Sequence, residues 1–338
     1  MSPTGHCQLF LTSTLLSPKI AIRHHIERTT CSRYDWGVCQ GCVIPPWDQC
    51  EGPSPETDMR IRVMRQDHRI NDIRLVAIDV DGTLLNSRQE LPESAVCMVR
   101  EVLARGVKVS IISGRPRCGI QAYLEALSLK DPDITSGGAH IYDPQQGRVL
   151  EHMPVPRLAA EAVVHRSREY GVAIFFESPE EILYEGDPSI LEHTPSVPRG
   201  VLRRAKDILV EDGASEPGKI TLVGEPEILH RLAEDLGALP VPIHSTSSGP
   251  RFLEITRAGV NKGSALRRLA AYMGIPDMFI LAVGDSHNDV SMFQFAGRSV
   301  AMGNAPLEVR ASADLVAPSH DADGLAWVLR KEILEGRA

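Results

Sequence analysis

Basic charge is scarce in this chain: 36 Lys and Arg stand against 44 Asp and Glu in 338 residues, a formal net charge of −8. That balance offers no cationic footprint for a polyanionic backbone, so nucleic acid is not an expected partner and small soluble molecules are. Long apolar runs are missing too. No stretch approaches the roughly 20 residues of a membrane span, and the longest candidate is broken by Thr12, Ser13 and Thr14. A membrane partner is therefore not expected. Cysteine is sparse over most of the chain, with only Cys97 and Cys118 beyond residue 50. That usage suits a reduced, cytoplasmic protein rather than a disulfide-bonded secreted one.

The other cysteines, Cys7, Cys31, Cys39, Cys42 and Cys50, crowd the N-terminal part. Cys39 and Cys42 form a Cys-x-x-Cys pair, but with Cys31 and Cys50 the outer spacings match no tetrahedral zinc module. Residues 1–72 mix Pro, Ser, Thr and Cys without sustained periodicity. They read as an N-terminal extension that is disordered, or that lies upstream of a true start at Met59 or Met64. Lys19 and Arg23 precede the first acidic residue, Glu27, a faint transit-peptide pattern that the rest of the segment outweighs.

The length corresponds to roughly two domains. Leu75-Val76-Ala77-Ile78 is wholly apolar, the mark of a strand buried on both faces, and it ends in Asp79-Val80-Asp81-Gly82-Thr83. Pro92 and Glu93 open a helical pattern with Val96, Val99, Val102 and Leu103 on one face, closed by Gly106. Residues 107–112 predict a second buried strand, followed by Ser113-Gly114-Arg115-Pro116 and a helix to about residue 127. Residues 133–142 predict a third strand or strand-turn. Alternating strands and helices with short links predict an α/β fold with a doubly wound, Rossmann-like parallel sheet.

Between residues 143 and 256 the rhythm changes. Strand-like segments at 172–177, 219–223 and 251–255 alternate with helical ones near 158–170, 198–208 and 226–236, the grammar of an inserted α+β cap domain. The core pattern occupies residues 73–142 and returns at 257–338 with a helix over 262–273 and a strand over 279–283. That strand ends in Gly284-Asp285-Ser286-His287-Asn288-Asp289. Short strands near 299–302 and 315–317, with helices after Pro306 and Gly324, complete the sheet.

The acidic strand ends carry the chemistry. Asp79 and Asp81, at i and i+2 of an extended segment, point to one side and repel unless a cation or proton intervenes. A hard ion such as Mg²⁺ supplies the cation and leaves one carboxylate free to attack phosphorus. An acidic turn uses the same residue types, and Ser113 is also an ordinary helix N-cap. The further clusters at strand ends weigh against both plain readings.

In order, Asp79-Val80-Asp81-Gly82-Thr83, Ser113, Lys262 and Asp285 with Asp289 resemble the four motifs of the haloacid dehalogenase superfamily. Ser113-Gly114-Arg115-Pro116, Leu253-Glu254-Ile255 with Gly259-Val260-Asn261-Lys262-Gly263, the Gly284–Asp289 segment and Met302-Gly303-Asn304-Ala305 resemble its Cof-type members, subclass IIB. The resemblance covers residues 73–338. It implies a Mg²⁺-dependent phosphomonoesterase in which Asp79 is the nucleophile and Asp81 the general acid and base. Lys262 would stabilise the phosphoryl charge, with Ser113, the N–H of Gly114 and Asn288 binding phosphate. Asp285 would hold the metal with Asp79 and the backbone carbonyl of Asp81, and Asp289 would reach it through water or orient Lys262.

The implied substrate is a small phosphorylated metabolite: a sugar phosphate ahead of a pyridoxal or flavin phosphate. The cap would choose it, with Arg115, Arg251 and Glu254 as candidate contacts. His287 is read as incidental, since Mg²⁺ prefers oxygen ligands. Ser136-Gly137-Gly138-Ala139 stands where relatives often show Asn-Gly-Ala, which weakens a substrate contact there. The alternatives are a phosphomutase of the same superfamily and a non-catalytic phosphometabolite-binding regulator. A second acid at Asp81 speaks against the regulator, because binding alone does not need it.

Overall fold

The run Leu75–Ile78 forms strand β1, and all four of its residues are buried. The computed structural model describes residues 73–179, 181–193, 201–211 and 216–335. The extension 1–72, with its zinc alternative and its Met59 or Met64 start, lies outside the described residues. In chain order the remaining strands are β2 (Lys108–Ile111), β3 (Asp133–Thr135), β4 (His140–Asp143), β5 (Arg148–His152), β6 (Ala173–Glu177) and β7 (Ile182–Glu185). They continue as β8 (Leu202–Arg204), β9 (Lys219–Val223), β10 (Ile243–Gly249), β11 (Phe252–Arg257), β12 (Ile280–Gly284), β13 (Arg298–Ala301) and β14 (Leu315–Val316).

The core sheet has the order β14-β13-β12-β1-β2 with every neighbouring pair parallel, the doubly wound arrangement expected. Period-two alternation divides β1 between two layers. Val76 and Ile78 pack with Val99, Val102, Leu325 and Val328, on the side of helices Glu93–Ala104 and Gly324–Leu329. Leu75 and Ala77 pack with Leu266, Leu269, Met292 and Phe293, on the side of helices Lys262–Met273 and Val290–Phe295. Helix Lys262–Met273 starts at a capping box, Asn261 Oδ1 accepting from Ser264 N–H, which sets Lys262 in its first turn. Losing such a cap costs about 1 kcal/mol.

Residues 133–142, expected as one strand or strand-turn, form the hairpin β3-β4 around Ser136–Gly138, and β5 pairs back onto β4. Residues 148–152, assigned from sequence to the insert, therefore belong to this ribbon. The insert has its own sheet, β10-β11-β9-β6-β7-β8, antiparallel except between β7 and β8. Helices Arg157–Glu169 and Pro226–Gly237 cover one of its faces, burying Val163, Leu229 and Leu232 against Ile174, Ile220 and Leu253.

The helix expected near 198–208 is a correction. Leu202–Arg204 is a strand, because its backbone pairs in parallel with Ile182–Tyr184, a partner that local pattern does not reveal. Among the described residues no helix is long and apolar enough to cross a membrane.

Candidate active site

Asp79 leaves β1 with extended backbone, and the chain then tightens through Val80–Leu84, where Gly82 has φ +78. Glycine is required there twice over: the left-handed conformation strains other residues, and a Cβ would lie 2.1 Å from Asp285 Oδ2. Because β12 runs beside β1 with Val283 opposite Ile78, Asp285 emerges next to Asp79. The parallel register, more than any local motif, makes these two acids neighbours.

Lys262 Nζ donates to Asp79 Oδ1 and to Asp289 Oδ1, both at 2.6 Å, and its side chain is 2% exposed. The other oxygen of Asp289 accepts the N–H groups of Asp285 and Ser286, each at 2.9 Å. Asp289 thus holds Lys262 through one oxygen and the loop that precedes it through the other. Asn304 Nδ2 donates at 3.0 Å both to Asp285 Oδ2 and to the Gly82 carbonyl, tying the two loops together.

Carboxylate oxygens of Asp79, Asp285 and Asp289 lie within 4.8 Å of one another. Burial first, and Asp289 next, lift the Asp79 carboxyl well above the ordinary carboxylate range despite Lys262. The same causes push Asp285 up to about 7. Three carboxylates against one ammonium leave the cluster short of positive charge. Its donor set is entirely oxygen, so it fits a hard divalent cation of the Mg²⁺ type better than zinc.

Asp81 keeps its side chain out of that cluster. Arg115 grips it as a fork, Nε to Oδ2 at 2.8 Å and Nη2 to Oδ1, while also donating to Gln89. Both of its carboxylate oxygens thus face Arg115, and the Asp81 side chain is not a member of the acidic cluster. Ser113 is fully buried and its hydroxyl accepts the Arg115 N–H at 3.0 Å; Gly114 and Arg115, not Ser113, line the adjoining cavity of about 1230 Å³. Asn288, His287 and Glu254 line it as well. Arg251 does not: it pairs with Glu225 at 2.8 Å on an exposed surface.

Two charged lining residues, Glu177 and Lys219, escaped the sequence reading. Glu177 and Lys219 pair at 3.2 Å across neighbouring strands, and Lys219 Nζ also reaches the Gly114 carbonyl at 2.7 Å. A signal for them exists, since each is a charged residue closing or opening an apolar strand, as Asp79 does after Ile78.

Residues 76–329 match the family model of haloacid dehalogenase-like hydrolases. The chain is similar to the putative phosphatase YxeH of Bacillus subtilis, 31% identical over 278 residues that take in 77% of this chain and 98% of that protein. It is also similar to the pyridoxal phosphate phosphatase YbhA of Escherichia coli, 26% identical over 274 residues, 77% of this chain and 99% of that one. A solved structure of a haloacid dehalogenase-like hydrolase from Bacteroides thetaiotaomicron aligns with a TM-score of 0.71 at 26% identity, covering 76% of this chain and 98% of that chain. With the acidic strand ends, the parallel core and these matches in agreement, the chain belongs to the haloacid dehalogenase-like hydrolases, among their Cof-type members.

Proposed function

We propose that the protein hydrolyses a small phosphorylated metabolite, a sugar phosphate first among them, through an aspartyl-phosphate on Asp79 with Mg²⁺ in the acidic cluster. The observation that carries this reading is the buried Asp79 carboxylate, held 2.6 Å from Lys262 Nζ at the wall of a cavity large enough for a phosphate and its leaving group. An Asp79 oxygen attacks phosphorus and the ester P–O bond breaks, Asp81 giving its proton to the departing alkoxide. In the second half Asp81 takes a proton from water as that water attacks the same phosphorus, freeing inorganic phosphate and restoring Asp79. Lys262 holds Asp79 in place and opposes the charge that grows on the phosphoryl oxygens. Bound by Asp79, Asp285 and the Asp81 carbonyl, Mg²⁺ would add the positive charge that the cluster lacks.

Having given up its proton in the first half, Asp81 is the anion that the second half needs, and it ends the cycle protonated again. YbhA is named for a small phosphorylated metabolite, which supports the same substrate class here. The test is turnover of an aryl phosphate and of a metabolite monophosphate panel by the full chain, with Mg²⁺ and with chelator. Release of phosphate that needs the metal is the expected result. Turnover undiminished by chelator, or none on any ester, would remove the reading.

A further inference from the structure

Strands β6, β9 and β11 bury Ile174, Phe176, Ile220, Leu222, Leu253 and Ile255 in the hydrophobic core of the insert. By the period-two rule their opposite face carries Glu177, Lys219, Thr221 and Glu254, and all four line the cavity. The Lys219 side chain is 3% exposed, and its Nζ meets the Gly114 carbonyl at 2.7 Å, Glu254 Oε1 at 2.9 Å and Glu177 Oε1 at 3.2 Å. An ammonium has three hydrogens, so these acceptors leave Lys219 none for a ligand. Glu177 is similarly occupied, taking Thr221 Oγ1 at 2.7 Å and Ser136 Oγ at 3.1 Å.

Glu254 differs. Its Oε1 accepts from Lys219 and from Ser248 Oγ at 3.1 Å, while no hydrogen bond reaches Oε2 among the described residues. That oxygen lies 3.8 Å from where a Cβ on Gly114 would stand, beside the loop that follows Ser113. The wall facing the nucleophile thus offers an acceptor, and its two carboxylates outnumber its single ammonium.

Resting on the phosphatase reading above, we propose that Glu254 is the specificity-determining residue for the leaving group. Its Oε2 accepts a hydroxyl of a polyhydroxylated monophosphate, and the excess negative charge of the Glu177–Lys219–Glu254 set rejects a leaving group that carries a second phosphate.

Calorimetric titration of the Asp79→Asn protein, with Mg²⁺ present, uses glucose 6-phosphate, glucose 1,6-bisphosphate and hexyl phosphate. Any loss common to the phosphoryl end cancels in the affinity ratios. Glucose 6-phosphate should bind about tenfold or more tightly than either of the others, the scale of one hydrogen bond or one repelled charge. Adding Glu254→Gln should bring the bisphosphate to within about twofold of the monophosphate and leave hexyl phosphate unmoved. Glu254→Asp keeps the charge and shortens the reach, so it should retain the rejection and lose the preference over hexyl phosphate. Melting curves establish that each variant is folded, and either one suffices.

A bisphosphate that binds as well as the monophosphate while Glu254 is intact overturns the proposal. So does a uniform loss for all three ligands in both variants. Hydrolysis of para-nitrophenyl phosphate by the unmodified chain reports separately on the phosphatase reading, because that ester carries no hydroxyl and no second phosphate.

Discussion

The Nζ of Lys262 lies 2.6 Å from Oδ1 of Asp79, a partner 183 residues earlier in the chain, and both side chains are withdrawn from solvent. Burying an ion pair forfeits hydration of both charges, so removing one member is far worse than never having had either. Lys262→Met would leave Asp79 and Asp289 facing each other unopposed. It should lower stability by about 3–5 kcal/mol in a denaturant titration and end turnover. Asp79→Asn leaves Lys262 its bond to Asp289, so the melting temperature should stay near that of the parent while hydrolysis falls by about a thousandfold or more. Residual activity within about tenfold of the parent would exclude Asp79 as nucleophile.

Asp285 and Asp81 should separate in a metal titration. Asp285 sits within the carboxylate cluster, whereas the Asp81 side chain points away from it to Arg115. Asp285→Ala is expected to raise the Mg²⁺ concentration for half-maximal rate by about tenfold or more, with part of the rate recovered at saturating metal. Asp81→Asn is expected to lower the maximal rate by about a hundredfold at unchanged metal requirement, the usual scale of a lost proton carrier. If saturating metal restored both variants, this division of roles would be wrong.

Gly82 gives a geometric test of the same cluster. A methyl group at that position would fall 2.1 Å from Asp285 Oδ2, and the backbone φ of +78 penalises any side chain. Gly82→Ala should therefore push Asp285 off its Asn304 contact, costing about 1 kcal/mol or more of stability. Turnover should fall with it and the metal requirement rise, as for Asp285→Ala. A variant with parental Mg²⁺ dependence would show that Asp285 can retreat without consequence for metal binding.

Much of this site is readable from local pattern because its parts sit at the ends of apolar strands. Leu75–Ile78 before Asp79 and Ile280–Gly284 before Asp285 show the signal directly. What the pattern does not carry is the partner strand. Glu177 and Lys219 are legible as charged residues bounding apolar strands, but their pairing follows from β6 lying next to β9 in the cap sheet. Arg251, a candidate substrate contact within the cap, lies outside β11 and turns to Glu225. Strand β10 hid behind a polar sequence, Ile243–Gly249, that only pairing with β11 explains. Ser113 looked like an open phosphate ligand, yet its backbone still bonds the neighbouring strand through Ile134, and that keeps it buried.

Asp133 provides a test of the core that is independent of catalysis. Both its carboxylate oxygens are buried without a hydrogen bond, Arg117 Nε approaches only to 3.4 Å, and burial pushes its carboxyl up to about 7. In the unfolded chain this carboxyl would titrate near its ordinary value. Between those two values the folded state holds a proton that the unfolded state has released. Stability is therefore lost as pH rises from about 4 to about 7. His140 works the other way: burial first, and His152 next, lower it to about 3, so stability falls there on acidification below its ordinary range. The two slopes oppose each other in the parent, which makes the difference between parent and variant the quantity to read. Asp133→Asn removes the ionisation but keeps the shape. Urea titrations at intervals from about pH 4 to 8 should show little difference at the acid end and a growing advantage for the variant, up to about 4 kcal/mol before relaxation. A difference that stays constant across this range would mean that Asp133 is ionised throughout, with Arg117 its sufficient partner.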